Sequence, residues 1–185
     1  MKLIDKDFII KNKKKSIVMN ERNIMIEIDH PFVLPLKFAF ESSEFIVFVL
    51  EYCPGGELFT YVKKYRKLNE DAAKFFIVEI LLGIEHLHQR NIIYRDIKPE
   101  NILLDLDGHV RIADFGLAKP NITPQNMAYS FCGSPEYMAP EMILKMGHGR
   151  AVDFYCIGAL LYELVTGLPP FYSKNTDEIY ESALT

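Results

Sequence analysis

Apolar residues along the 185-residue chain fall into blocks of two periods, with loop signals between them. Ile17, Val18, Ile24, Met25, Ile26 and Ile28 recur at helical spacing and predict a helix over about 16–28. His30-Pro31-Phe32 then opens a loop, because the residue before proline is biased away from helix. Pro35 to Phe40 and Phe45 to Leu50 read as strands, the second a continuous apolar run, FIVFVL, of the kind a buried strand carries. Asn69 is a good N-cap with Glu70 and Asp71 in the first turn, and the helix it starts runs to about Gln89, with Phe76, Ile80, Ile84 and Leu87 as its core face. Ile102–Leu104 and Val110–Ile112 flank Asp105-Leu106-Asp107-Gly108, a hairpin signal. Leu117 to Met127, with Pro120 and Pro124, lacks periodicity and reads as a mobile loop. Ala151 to Gly167 is an apolar helix with one early carboxylate and one late one, and Asp177 to Ala183 begins another.

Composition narrows the classes. The length fits one domain, and an apolar content of 49% is enough for a real core. A net charge of −4 gives no general attraction to nucleic acid or anionic membrane. Cys53, Cys132 and Cys156 are odd in number and lack metal-ligand spacing, which suits a reducing compartment. His86 and His88, two apart, do not share a helix face and are not read as metal ligands. No apolar run approaches a membrane span, and the N-terminus, with its lysine-rich segment Lys11 to Lys15, lacks a signal-peptide core. Cytosol or nucleus is the default location.

The chemistry concentrates between Tyr94 and Gly116. Asp96, Lys98 and Asn101 form one loop, R-D-x-K-x-x-x-N, and Asp114-Phe115-Gly116 a turn beyond the hairpin. Phosphoryl transfer needs these types: a carboxylate to take a hydroxyl proton, a cation near the moving group, and oxygen ligands for magnesium. The hairpin brings Asp96 and Asp114 toward one point. This stretch resembles the catalytic loop and D-F-G segment of eukaryotic protein kinases, and Tyr94 before Arg95-Asp96 is similar to the AGC serine/threonine group, with the cAMP-dependent and ribosomal S6 kinases as the nearest branches.

The resemblance implies an α+β, bilobal protein-kinase-like fold, with 1–50 a remnant of the small lobe, 51–56 the hinge and 57–185 the large lobe. It implies ATP and Mg2+, with Asn101 and Asp114 as metal ligands. Lys2 falls at the strand lysine that holds a nucleotide phosphate, and Glu21 at its helix partner. Leu50 falls at the gatekeeper position, and Glu51-Tyr52-Cys53 at the hinge whose backbone binds adenine. Glu57 is placed either to cap a short helix near its positive end or to contact ribose or a substrate arginine. Ser130-Phe131-Cys132-Gly133-Ser134-Pro135-Glu136-Tyr137 and Ala139-Pro140-Glu141 match the AGC activation segment. Ser130 stands at the activating phosphosite, where an upstream kinase would add charge that Arg95 and Lys119 can neutralise. Ser134 stands where serine/threonine-specific kinases bond the catalytic aspartate and Lys98. Asp153 is a buried carboxylate expected to anchor the catalytic-loop backbone. Glu57, Glu100 and Glu163 fall where basophilic members hold arginines of protein substrates.

Some departures accompany the match. The glycine-rich loop and its strands are absent from the chain, which leaves FIVFVL near an unprotected sheet edge. The arginine that pairs with Glu141 is absent too, so Glu141 is expected to be a buried carboxylate without its cation. The large lobe stops after its G-helix region. The alternative to an active serine/threonine kinase is therefore a catalytically silent, kinase-derived docking module; a small-molecule kinase of related fold would lack the activation segment.

Overall fold

The computed structural model describes residues 1–185, and its architecture is α+β, with two three-stranded sheets and seven α-helices. The first layer is a three-stranded antiparallel sheet of β1 (Lys2–Asp5), β2 (Leu36–Glu41) and β3 (Phe45–Leu50), in the order β1-β3-β2. Its register sets Lys2 opposite Phe48 and Glu41 opposite Ile46. The apolar run of β3 is thus the central strand, not an edge. β1 covers the side expected to be open, and of the apolar run only Val47 and Phe48 are fully buried.

Asp5 ends β1 and starts α1 (Lys6–Lys11), its side chain accepting from the Phe8 N–H at 2.8 Å. This six-residue helix ends where the lysine-rich stretch begins and is too short to show a period. α2 follows (Lys15–Glu27), one residue from the range the periodicity predicts. It buries Val18, Ile24 and Met25, while Ile17 and Ile26 face water. Ile9, Val18 and Phe48 form a small core under the sheet.

Beyond the hinge, β4 (Gly56–Glu57) pairs with β5 (Ile102–Leu104), which pairs in turn with β6 (Val110–Ile112). Glu57 precedes α3 (Leu58–Tyr65) at the N-cap position, but its side chain makes no capping bond; its backbone is spent on the β4–β5 ladder instead. α4 (Glu70–Gln89) is capped by Asn69, which accepts from the Ala72 N–H at 2.8 Å, and buries Ile80, Ile84 and Leu87 completely. Short helix α5 (Pro140–Ile143), α6 (Ala151–Thr166) and α7 (Thr176–Leu184) complete the order. One continuous core joins Ile24, Met25 and Ile28 next to the first sheet with α4, the second sheet and α6, so helix α2 is packed against both layers. No helix is long and apolar enough to cross a membrane.

The segment read as a mobile loop is pinned at several points. Ile93 and Lys119 exchange backbone hydrogen bonds, the Ile122 N–H donates to Asn91 O, and the Ile122 side chain is buried with Ile93 and Ala128. Bonds to residues distant in sequence leave no local period to read.

α6 ends at Gly167, whose φ of 95° is left-handed and whose N–H donates to Glu163 O at 2.7 Å. A Cβ at this position would collide with the Arg66 carbonyl oxygen. Gly167→Ala is expected to lower unfolding free energy by roughly 1–3 kcal/mol through backbone strain, with the collision adding to it. Urea denaturation measures it, and a midpoint equal to that of the parent chain would contradict the collision.

Candidate active site

The site begins with a carboxylate that touches no solvent. Asp153, in the first turn of α6, accepts from the Tyr94 N–H at 2.9 Å and the Arg95 N–H at 2.7 Å, and its Oδ2 lies 2.7 Å from His88 Nε2. His88 is in the last turn of α4, so one buried acidic group ties two helices to the start of the catalytic loop. The sequence marked Asp153 as this anchor but gave His88 no part; the only signal was its place in the turn that leads into the loop.

With its backbone so held, Arg95 adopts φ 68°, an uncommon conformation for a side chain of this size. Its guanidinium donates through Nε and Nη2 to Leu117 O at 2.9 and 2.7 Å, and through Nη1 to Ser130 Oγ at 2.5 Å. Nη1 also lies 3.3 Å from His148 Nε2. His148, flanked by Gly147 and Gly149, carried no sequence signal, yet it is 1% exposed. Burial, with Arg95 and Lys119 nearby, lowers its pKa from 6.5 to about 4, so it faces Arg95 neutral at pH 7. Ser130, Arg95 and Lys119 line one cleft with Ser16 and Asn20 of α2.

Asp96 is nearly buried. Asn101 Nδ2 donates both to Asp96 O and to Asp96 Oδ2, each at 2.8 Å. Lys98 Nζ stands 3.3 Å from Asp96 Oδ2 and donates to Ser134 Oγ at 2.9 Å. Ser134 donates onward to Asp96 Oδ1 over a longer 3.3 Å. Residues 96, 98, 101 and 134 therefore form one hydrogen-bonded network.

Asp114 approaches from the other side of the hairpin, also left-handed at φ 56°. Phe115 packs edge-on against Tyr94, and the Tyr94 hydroxyl donates to Ala113 O, which fixes the residue before Asp114. Lys2 Nζ on β1 bridges Glu21 Oε1 at 2.7 Å and Asp114 Oδ1 at 3.0 Å, groups 19 and 112 residues away. Burial acts to lower the Lys2 pKa, but the two carboxylates outweigh it and raise it. Burial raises Glu21 in spite of Lys2. Burial also acts to raise Asp114, but Lys2, the Gly116 N–H and Lys98 hold it below the usual carboxylate range.

Half of the Asp114 side-chain surface is open, and Asn101 spends its amide nitrogen on Asp96, which leaves its amide oxygen as a ligand. One ionised carboxylate and one amide oxygen suit magnesium, which is held by few protein oxygens and completes its shell with water and phosphate. No cluster of three His, Cys, Asp or Glu is present to make a self-sufficient metal cage.

At the hinge, the Glu51 N–H donates to Pro35 O and the Cys53 carbonyl accepts from Gly56, whereas the Glu51 carbonyl and the Cys53 N–H make no backbone hydrogen bond. The Glu51 side chain turns away to Lys37, 2.6 Å off. Below the catalytic loop a cleft of about 690 Å3 is lined by Lys98, Ser134, Glu100, Glu136 and Glu163. Glu163 is buried, accepts from the Tyr137 hydroxyl, and has its pKa raised by burial despite that bond. Glu57 is exposed and does not line this cleft; Glu136, which sequence reasoning passed over, does. Glu141, expected to be buried, is only partly buried, and it makes no ion pair.

A lysine bridging two carboxylates on one side and an Asp-Lys-Asn-Ser network on the other make up the candidate site. The chain belongs to the protein kinase family: the pattern described as Protein kinase domain matches residues 1–185. It is similar to serine/threonine-protein kinase Sgk1 of Xenopus tropicalis, 46% identical over all 185 residues and 44% of that protein, and to Sgk2 of Homo sapiens, 46% identical over 50% of that protein. Sgk1 of Danio rerio is also 46% identical, with 43% of its length matched. The chain thus spans half or less of the length of these curated relatives. Their group is the AGC serine/threonine kinases, as the residues from Tyr94 to Glu141 imply.

Two outcomes follow from the anchors. Asp153→Ala strands three buried donors and is expected to cost about 3–5 kcal/mol, read by denaturation. His148 binds a proton near pH 6.5 when unfolded but only near pH 4 when folded, so its stabilisation is full above 6.5 and is lost as pH falls through 4. The urea midpoint of the parent chain should fall across that window more steeply than that of His148→Gln; equal slopes would mean His148 titrates normally.

Proposed function

We propose that this chain is the catalytic part of a serine/threonine protein kinase that transfers the γ-phosphoryl group of ATP to protein hydroxyls flanked by basic residues. The observation that carries this reading is the pair of constellations facing each other: Lys2 between Glu21 and Asp114, and Asp96 held by Asn101 with Lys98 and Ser134 beside it. In this reading Asp96 accepts the hydroxyl proton through Oδ1. Oδ2 is occupied by Asn101, while Oδ1 receives only the long bond from Ser134, which an incoming hydroxyl can displace. Lys98 offsets charge next to the transferring group. Lys2, kept protonated by its two carboxylates, holds nucleotide phosphates. The free Glu51 carbonyl and Cys53 N–H offer adenine one acceptor and one donor.

Asp114 and Asn101 would hold magnesium, which supplies charge neutralisation at the phosphate oxygens when bound. Glu100, Glu136 and Glu163 make a cleft next to Ser134 that suits substrate arginines. Ser130, already bonded to Arg95, is the residue an upstream kinase would phosphorylate; the phosphate would find Arg95 and Lys119 in the same cleft. Every carboxylate and lysine of the two constellations is in place, which favours this over a silent docking module.

The test is Mg·ATP binding by thermal shift, followed by phosphorylation of an arginine-rich peptide. Asp96→Ala should keep the shift and lower turnover by about 10²–10⁴-fold. Asp114→Ala should abolish both. Peptide phosphorylation that survives Asp114→Ala, or a folded parent chain that shows no shift with Mg·ATP, would end the assignment.

A further inference from the structure

At the hinge lies a chain of charged side chains with no part in the chemistry above. Lys37 Nζ on β2 is 2.6 Å from Glu51 Oε2; Arg111 Nη2 on β6 is 3.7 Å from Glu51 Oε1 and 3.2 Å from Asp105 Oδ2. Arg111 Nη1 also donates to the Pro31 carbonyl, in the loop between α2 and β2. One guanidinium therefore reaches three segments: the loop that precedes the first sheet's β2, the first residue of the hinge, and the turn of the second-sheet hairpin. A planar fork with several donors can serve such dispersed acceptors, which an ammonium cannot.

The backbone reinforces the same place. Leu34 N–H donates to Ile112 O and Ile112 N–H to Phe32 O, each at 2.9 Å, so residues 32–34 are fixed to β6 next to Arg111. Glu51, at the start of the hinge, joins the two sheets through its side chain. Its carboxylate is shared between a cation on the first sheet, Lys37, and a cation on the second, Arg111, and the Lys37 bond holds its pKa below the ordinary range. The two contacts are unequal, 2.6 against 3.7 Å. Arg111 is 80% withdrawn from solvent, yet its Nε has no partner, so the side chain is held by its far end alone. Such a clasp engages and releases without breaking a fully satisfied network.

We infer that Arg111 is a positioning residue: by competing with Lys37 for the Glu51 carboxylate it restrains opening of the two sheets about the hinge, and so sets how fast nucleotide leaves. The effect on nucleotide rests on the kinase reading above; the restraint on the hinge does not. Loss of Arg111 removes the second-sheet hold on Glu51. Loss of Lys37 frees Glu51 to close on Arg111. The two substitutions therefore act in opposite directions, which general destabilisation cannot do.

The experiment uses the 185-residue chain with two readouts. Amide hydrogen exchange at residues 51–56 without nucleotide should rise in Arg111→Met and fall in Lys37→Met. Release of a fluorescent ADP analogue, from stopped-flow displacement, should quicken about three- to sixfold in Arg111→Met and slow in Lys37→Met, the size expected of a partly exposed ion pair. KM for ATP should move in the same order as the release rates. Arg111→Lys, which keeps the charge but cannot reach all three acceptors, should fall between parent and Arg111→Met, and it carries the test if Arg111→Met does not fold. Hinge exchange that is unchanged, or that shifts the same way in both single variants, overturns the clasp. Opposite shifts in exchange with equal release rates overturn its control of nucleotide. A parent chain that binds no nucleotide refutes the kinase reading and with it the nucleotide effect, while the exchange data still decide the clasp.

Discussion

The buried Asp153 carboxylate is the constraint on which the site depends. An ionised group without solvent is tolerable only when its lone pairs are filled, and here two backbone N–H groups and an imidazole fill them. The backbone that supplies those N–H groups has no freedom left. Arg95 is consequently held at a left-handed φ, and that conformation sends the Arg95 side chain toward the Ser130 segment while the next residue, Asp96, points to Asn101. A single acid thus orients a cation on one side of the chain and a carboxylate on the other. Strain of this kind persists only where neighbours over-determine it, and it is found at both Arg95 and Asp114.

Charge distribution in the site follows from the same geometry. Lys2 is the only cation within bonding distance of Glu21 and it also reaches Asp114, so α2 and the first sheet are joined to the second through one ammonium. The ammonium stays charged because two carboxylates outweigh burial, and Asp114 stays ionised partly because of it. Neutral His148 has the complementary task. It offers Arg95 an acceptor without adding a second positive charge, and leaves the guanidinium's attraction for a phosphate at Ser130 undiminished.

Local chemistry was legible in the sequence where a residue's role depends on near neighbours. The Asn69 cap, the faces of α4, the hairpin around Asp107-Gly108 and the spacing of Asp96, Lys98, Asn101 and Asp114 are of that kind. The elements that escaped are those whose partners are distant. β3 reads the same at an edge or in the centre, and only its pairing with β1 decides. Residues 117–127 have no period because their order comes from Asn91 and Ile93. His88 and His148 are set by a carboxylate 65 residues away and by a guanidinium 53 residues away. Glu141 shows another limit: its burial was expected from the motif, and its partial exposure was not legible.

The substrate-side cleft carries the last consequence. Glu100, Glu136 and Glu163 sit within one concavity beside Lys98 and Ser134, and Glu163 is bound to the Tyr137 hydroxyl rather than to a cation. Burial has raised the Glu163 pKa, which is the signature of a carboxylate that lacks a charge partner in the free chain. A guanidinium entering the cleft would meet a carboxylate without a charge partner where water is largely excluded, so attraction would be stronger there than at an exposed glutamate such as Glu57. In the proposed reading, selectivity for basic neighbours would fall chiefly on the buried acid of α6, the same helix that holds Asp153. One apolar helix with two buried carboxylates would fix the catalytic loop with the first and grip substrate with the second.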